Sequence, residues 1–441
     1  MSGAAGGRMP RGAERTGTAC PPPADRSAGA PADRQQGPPV DRQADPPADR
    51  PARLAALLAA GRQAGIYSAA AWSVGTAAGR ETHGHLGTRR WGGAELNGTE
   101  LWDLASVTKP IVGLAALRLA EAGALRLDDT LGAYLPEYRR VPGKADITVT
   151  QLLTHTSGLP GGTPLWRSHS DRDGLLAALR ALPLRGAPGT VVEYSSAGFV
   201  LLGLILERAA ATGLDELVAK QVCEPLGMRE TVFAPGPAAR ERAVSTELCT
   251  WRGRLVTGQV HDENAVVLGG VCGHAGLFAP LADMDRLGRA LAAGGEGLLS
   301  APGFARMTAC HTDGLPLRRC LGWQGRDAVG SPVGTAMGPT SYGHTGFTGT
   351  SLWVEPAVDG TGTDGTRANR TGADRAGAEG RYYVLLTNRV HPSRDPRRFP
   401  AVRRAFHHHA AASPAAVRLS FGAGRPRGST AGRRDAESGP W

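Results

Sequence analysis

Large apolar residues are almost missing from three parts of this 441-residue chain, so any core has to be built from what lies between them. The first part is residues 1 to 50, where one short phrase recurs at Pro23-Ala24-Asp25-Arg26, Pro31-Ala32-Asp33-Arg34 and Pro47-Ala48-Asp49-Arg50, with a variant at Pro39-Val40-Asp41-Arg42. Proline removes backbone donors and nothing there can be buried, which predicts a disordered Pro/Arg-rich arm. The second part, residues 359 to 380, is mainly Gly, Thr, Asp, Ala and Arg, and reads as a low-complexity insertion in a hairpin loop. The third, residues 413 to 441, reads as a disordered tail. Residues 51 to 412 remain, enough for one large two-lobed domain.

The formal charge of +10 comes from arginine, and Arg425, Arg427, Arg433 and Arg434 place part of the surplus in the tail. Scattered among Gly, Ala and Pro, and not interleaved with aromatics, these arginines point to solvated segments and away from a nucleic-acid partner. The six cysteines form no C-x-x-C and have no zinc-finger spacing to histidine, so reduced structural thiols are expected. Arg8, Arg11 and Arg15 are followed by Pro- and Asp-rich residues where a signal peptide needs an apolar run, and no run of about 18 apolar residues occurs. The expectation is a chain without a membrane span, cytoplasmic by default and monomeric.

Pro51 suits a first helical turn, and Leu54, Leu57 and Leu58 share one face of an opening helix. Residues 66 to 74 read as a strand with a hairpin return by about Trp91. A helix is predicted from Val107 to Ala122, and others at 152–156, 174–182 and 199–211, so residues 130 to 265 look mostly helical. Strands return at 276–279, 351–354 and 382–387. His407, His408 and His409 end a closing helix, where consecutive side chains diverge and do not suit a metal.

Ser106-Val107-Thr108-Lys109 fits S-x-x-K, which at a helix start puts the serine and the lysine on one face within hydrogen-bond reach. A serine hydroxyl needs a neighbouring base, and lysine can serve once its ammonium gives up a proton. This chain keeps only Lys109, Lys144 and Lys220 among its many arginines, and arginine cannot act as a base. Tyr194, in Gly189 to Ser196, could relay protons or simply pack against the helix that follows. Gly343-His344-Thr345-Gly346-Phe347-Thr348-Gly349 either allows close approach to a ligand or is an ordinary strand with a bulge.

In order and rough spacing, these elements resemble the β-lactamase and penicillin-binding-protein superfamily, especially its class C and esterase-like branch. Ser106 to Lys109 is similar to the S-x-x-K motif, Tyr194 to Ser196 to Y-x-N, and His344 to Gly346 to K-T-G or its H-x-G variant. Leu152-Leu153-Thr154-His155-Thr156-Ser157-Gly158-Leu159, His261 to Ala265, Gly273-His274-Ala275-Gly276-Leu277-Phe278 and Thr387 to Pro392 extend the likeness over residues 51 to 410. Ser196 stands where the family usually has asparagine, and His344 where β-lactamases proper have lysine.

The resemblance implies an α+β fold: an antiparallel sheet flanked by helices, with a mostly helical lobe at about 130–265 and the site in the cleft between. It implies a serine hydrolase acting on an ester, a D-amino-acid peptide or a β-lactam, without cofactor or metal. Ser106 would be the nucleophile and Lys109 the base, assisted by Tyr194, with the N–H groups of Ser106 and Phe347 around the oxyanion. Ser196, His344, Thr345, Gly346 and Phe347 would bind the small-molecule or peptide substrate, and His344 is expected to read substrate carboxylates through a charge that fades between about pH 6 and 8. The rival is a catalytically silent protein that binds a peptide or cell-wall fragment on the same fold. His155, His261 and His274 are expected to stabilise loops by hydrogen bonding.

Overall fold

The computed structural model describes residues 49–357, 379–394 and 398–412; the arm, nearly all of the 359–380 stretch and the tail fall outside these. The fold is α+β, an antiparallel sheet with helices, as the resemblance implies. Helix α1 (Arg50–Gln63) begins under a cap in which the Asp49 carboxylate accepts from the Ala52 N–H, with Pro51 in its first turn. Leu54 and Leu58 are fully buried on its inner face.

Strands β1 (Ala69–Thr76) and β2 (Arg80–Gly87) form the hairpin that follows, the first strand starting three residues later and ending two residues later than the expected 66–74. The short β3 (Trp102–Asp103) leads through a 3-10 turn at Ala105–Val107 into α2 (Thr108–Glu121). Then come α3 (Leu131–Tyr134), α4 (Val149–Leu153), α5 (Arg172–Ala181), α6 (Ser196–Ala210) and α7 (Leu214–Val218). The strands β4 (Val232–Phe233), β5 (Ser245–Cys249) and β6 (Arg254–Thr257) interrupt this stretch, with α8 (Pro237–Glu241) and α9 (Glu263–Val267) around them. Strand β7 (Leu277–Ala279), α10 (Leu281–Ala292), α11 (Ala301–Thr308) and β8 (Gln324–Gly325) lead back to the sheet. It closes with β9 (Tyr342–Thr345), β10 (Ser351–Glu355), β11 (Arg381–Thr387) and α12 (Phe399–Ala411).

Among the described residues the main sheet runs β2-β1-β11-β10-β9-β8, with antiparallel neighbours throughout. Its central strand is covered on both faces, which is why Tyr382 to Leu386 reads as an unbroken apolar run. Tyr382, Val384 and Leu386 join the core shared with α2, α6 and α10, whereas Tyr383 and Leu385 join Leu54, Leu58, Phe399 and Phe406 of α1 and α12. The same alternation fixes the site, because Trp353 lies on the α1/α12 face and Leu352 on the other. His344 pairs with Leu352, so it turns toward the helical side, while Gly343 pairs with Trp353. A Cβ on Gly343 would lie 2.3 Å from the Trp353 ring, so only glycine lets β9 approach there.

The hairpin β5–β6 lies inside the stretch that the sequence reads as helical. Its strands carry little β-propensity of their own and are held from outside, Leu248 N–H donating to Pro392 O at 2.8 Å. Among the described residues no single helix is long and apolar enough to cross a membrane.

Candidate functional site

The turn before α2 is bent into an uncommon conformation and held there. Ala105 has φ +48°, a left-handed setting that costs a non-glycine residue about 1 kcal/mol. Asp103, buried, opposes that strain: one carboxylate oxygen accepts from the Ala105 N–H at 2.8 Å and the other from the His261 N–H at 2.6 Å. Burial pushes the Asp103 pKa up, and the two N–H groups and His261 work against it. The turn delivers Ser106, partly exposed, to the mouth of α2, with the fully buried Lys109 one helical turn behind it.

Lys109 Nζ donates to Ser106 Oγ at 3.0 Å and to the carbonyl of His274 at 3.0 Å. Among the described residues no carboxylate accepts from it. It lies 4.8 Å from the Tyr194 ring centroid and 5.9 Å from that of Phe199. Lysine and tyrosine therefore meet through the ring face and not through a hydrogen bond to the phenol.

Tyr194 is set by the entrance to α6, where Ser195 and not Ser196 is the cap. Ser195 Oγ accepts from Gly198 N–H at 3.2 Å and donates to Pro160 O at 2.9 Å, while its own N–H donates to His155 Nδ1 at 3.1 Å. That leaves the Ser196 hydroxyl out of the capping, on the wall of a small cavity shared with Gly161, Thr163, Asn264 and His274. The His155 ring packs 4.6 Å from Tyr194 and 5.1 Å from Phe199. Burial, helped by Arg319 and Lys109, holds the His155 pKa well below 6.5, and an accepting Nδ1 puts its one proton on Nε2.

The segment after β9 is fastened to the nucleophile turn. Thr348 Oγ1 donates to Asp103 O at 2.7 Å and Thr350 Oγ1 to Leu104 O at 2.9 Å. Gly346 sits between them, its N–H bonded to Thr350 O at 2.7 Å, and a Cβ on it would stand 2.6 Å from Leu104 O. Behind it Arg403 donates to Gly346 O at 2.9 Å and Arg389 to Phe347 O at 2.5 Å, with the Arg389 guanidinium 4.2 Å from the Phe347 ring. Among the described residues neither the Ser106 nor the Phe347 N–H has an acceptor.

Ser106, Lys109, Tyr194 and His344 thus meet on the helical side of the sheet, Ser196 lines the cavity beside them, and Gly346 and Phe347 follow in the segment tied to the nucleophile turn, whereas Thr345, paired with Ser351, alternates with His344 toward the α12 face. His344 requires a correction. Its ring lies 5.9 Å from Tyr194, but burial, reinforced by Lys109, pushes its pKa down to about 3. Nδ1 lies 2.9 Å from Thr345 O and must donate to it, so the ring is neutral from pH 6 to 8 and cannot read charge there.

Four neighbours carry more of the geometry than their motifs suggest: Asp103, His155, Arg389 and His274. His155, His274 and Arg389 lie in phrases that resemble the family and Asp103 does not, and even in those phrases the hydrogen bonds depend on tertiary packing. Glu247, Cys249 and Glu263 bring possible metal-ligand atoms within 4.8 Å of one another. Arg394 spans the two carboxylates, at 2.5 Å from Glu247 and 2.7 Å from Glu263, so a cation is already supplied by the chain.

The Beta-lactamase family model matches residues 54–406. An Escherichia coli K12 protein named provisionally as a D-alanyl-D-alanine carboxypeptidase is 32% identical over 290 residues, covering 58% of this chain and 66% of that protein. A Salmonella paratyphi B protein of the same name is 30% identical over 289 residues with the same coverage. The chain spans just under two thirds of the length of these curated relatives. Among solved structures, "EstCE1, a hydrolase with promiscuous acyltransferase activity" superposes with a TM-score of 0.63 at 20% identity, over 81% of this chain and 98% of that one. The octameric penicillin-binding protein homologue from Pyrococcus abyssi gives 0.57 at 19% identity, over 76% and 73%. At such identities the likeness is one of fold.

Proposed function

The chain belongs to the beta-lactamase family, and on that premise we propose that it is a serine hydrolase whose Ser106 is acylated by an ester or amide and freed by water. One observation carries the proposal: a fully buried lysine donates to Ser106 Oγ at 3.0 Å while its other acceptor is a carbonyl. In the proposed step Lys109 acts as a neutral amine that takes the proton of Ser106 as the hydroxyl attacks. Tyr194 then contributes its hydroxyl to the leaving group and its ring to the seat of Lys109. The unpaired N–H groups of Ser106 and Phe347 supply the oxyanion donors, where one donor contributes about 3 kcal/mol.

The substrate reading follows from His344. A neutral imidazole beside Tyr194 offers an acceptor where a lysine would offer a charge, so esters and amides without an obligatory carboxylate at that point suit the cleft. D-Ala-D-Ala peptides, p-nitrophenyl esters and nitrocefin compared side by side decide among the branches. Ser106→Ala is expected to abolish fluorophosphonate labelling while the circular dichroism stays unchanged. Labelling that survives the substitution places the nucleophile elsewhere, and wild-type protein that never labels or turns over supports a silent binding role.

A further inference from the structure

Behind Lys109 lies a second cluster of reactive groups that this hydrolase reading leaves unused. Cys272 Sγ is 3.1 Å from His274 Nδ1, and His274 Nε2 is 2.9 Å from Asp262 Oδ1. The imidazole is buried, and its two nitrogens face a thiol and a carboxylate. Burial opposes an imidazolium, yet Cys272 and Asp262 together raise the His274 pKa above the ordinary 6.5. His274 Nδ1 is placed to take the thiol proton as the sulfur attacks. Asp262 is anchored in turn, since the same Oδ1 accepts from the Ala265 N–H at 2.9 Å and caps α9.

The thiol has a route to solvent. Cys272 lines a surface cavity with Arg172, Leu204, Glu207 and Val271, next along the same face of α6 from the cavity that Ser196 and His274 share, Val200 lining both. The segment also has no slack. A Cβ on Gly273 would lie 2.0 Å from Phe199 O, so residues 272–274 lie flush against α6. The carbonyl of His274 is the group that holds Lys109.

From this juxtaposition of cavity, thiol, imidazole and base we propose that Cys272 is a modification site for hydroperoxides, and that its oxidation displaces the carbonyl that seats Lys109. The thiolate attacks one oxygen of hydrogen peroxide; an S–O bond forms and the O–O bond breaks. Sulfur is oxidised by two electrons and the peroxide reduced. The departing hydroxide takes the His274 Nδ1 proton and leaves as water, so the products are a sulfenic acid, neutral His274 and water. The added oxygen falls between Asp262 and α6, where the backbone can adjust only by moving His274. The modification stands on the cluster alone; its effect on hydrolysis rests on the Ser106–Lys109 reading.

The test exposes the full chain to hydrogen peroxide, traps sulfenic acid with dimedone and maps the adducts by peptide mass, while fluorophosphonate reports on Ser106. Cys310, the most exposed of the described cysteines, is the internal reference. Cys272 is expected to form its adduct about tenfold faster than Cys310. Asp262→Asn keeps an oxygen for the α9 cap while removing the charge, and is expected to slow Cys272 severalfold, as is His274→Gln. Oxidation is expected to slow Ser106 labelling about tenfold, reversibly with dithiothreitol. Cys272→Ala is expected to label normally and to ignore peroxide. Equal reaction at Cys310, or adducts at Cys272 only in urea, overturns the site. Normal Ser106 labelling after oxidation overturns the coupling, and absent labelling before oxidation overturns the hydrolase reading while the site stands.

Discussion

The two walls of the cleft are built to different standards of redundancy. On the nucleophile wall, Asp103, Leu104 and Ala105 are held by a buried carboxylate and two threonine hydroxyls, and Lys109 by Ser106 and a carbonyl. On the facing wall, Ser196 and His344 depart from the family's asparagine and lysine, and His344 has lost any charge at neutral pH. The wall proposed to perform bond chemistry is over-determined, while the wall proposed to meet the rest of the substrate departs from the motifs it resembles. On that proposal chemistry and selectivity are separable, and substitutions on the two walls should differ in size and in kind.

The largest effect is expected from Lys109→Arg, which keeps the charge yet cannot take a proton. kcat/KM on a neutral ester should fall by about 10²- to 10⁴-fold, as far as in Lys109→Ala. An arginine variant within a few-fold of wild type would show that the lysine only fixes geometry, and the contrast between the walls would collapse.

His344 gives a smaller effect that reaches stability as well as selectivity. Its folded pKa of about 3 lies below the ordinary 6.5, so the unfolded chain takes up the proton first. Its contribution to stability is therefore complete above about pH 6.5 and declines as the pH falls toward 3, by up to about 1.4 kcal/mol per pH unit. Urea unfolding of wild type and His344→Gln between pH 7 and 5 should show the wild type losing stability more steeply. Parallel curves would mean that the imidazole takes up its proton over the same pH range in the folded protein as in the unfolded chain. Over pH 6 to 8, the preference for an acidic over a matched neutral ester should stay flat in wild type, and His344→Lys should raise it at every pH.

What could be read in the sequence depended on whether neighbours along the chain carried the information. Ser106 and Lys109 are one helical turn apart, and Tyr382 to Leu386 announces a strand covered on both faces by composition alone. Helix α10 carries Leu281, Met284, Leu287 and Leu291 at helical spacing and was within reach of the same reasoning, although nothing flags it as a lid on the sheet. The hairpin β5–β6 was not, because Leu248 in it is bonded to Pro392, nearly 150 residues away. The protonation of His155, His274 and His344 was hidden for a deeper reason. All three are buried near Lys109, yet their states differ with what each nitrogen faces: an N–H for His155, a carbonyl for His344, a thiol and a carboxylate for His274.

Ser196→Asn should have the smallest effect, and it tests whether the facing wall can be changed without touching the nucleophile. Ser195 already caps α6, so the side chain at 196 has no structural duty, and the cavity beside Gly161 and Thr163 leaves room for a longer amide. Asparagine would return a donor and an acceptor to the position where the family keeps them. An amide substrate has an N–H and a strongly accepting carbonyl to engage both; an ester lacks the N–H. The substitution should therefore lower KM for amides by a few-fold, equivalent to about 0.5–1.5 kcal/mol for one hydrogen bond, and leave esters nearly unchanged. The rate of Ser106 labelling by fluorophosphonate should not move, since nothing that holds Lys109 passes through the Ser196 hydroxyl. If labelling slows together with both substrates, position 196 is tied to the nucleophile wall after all, and the two walls are one.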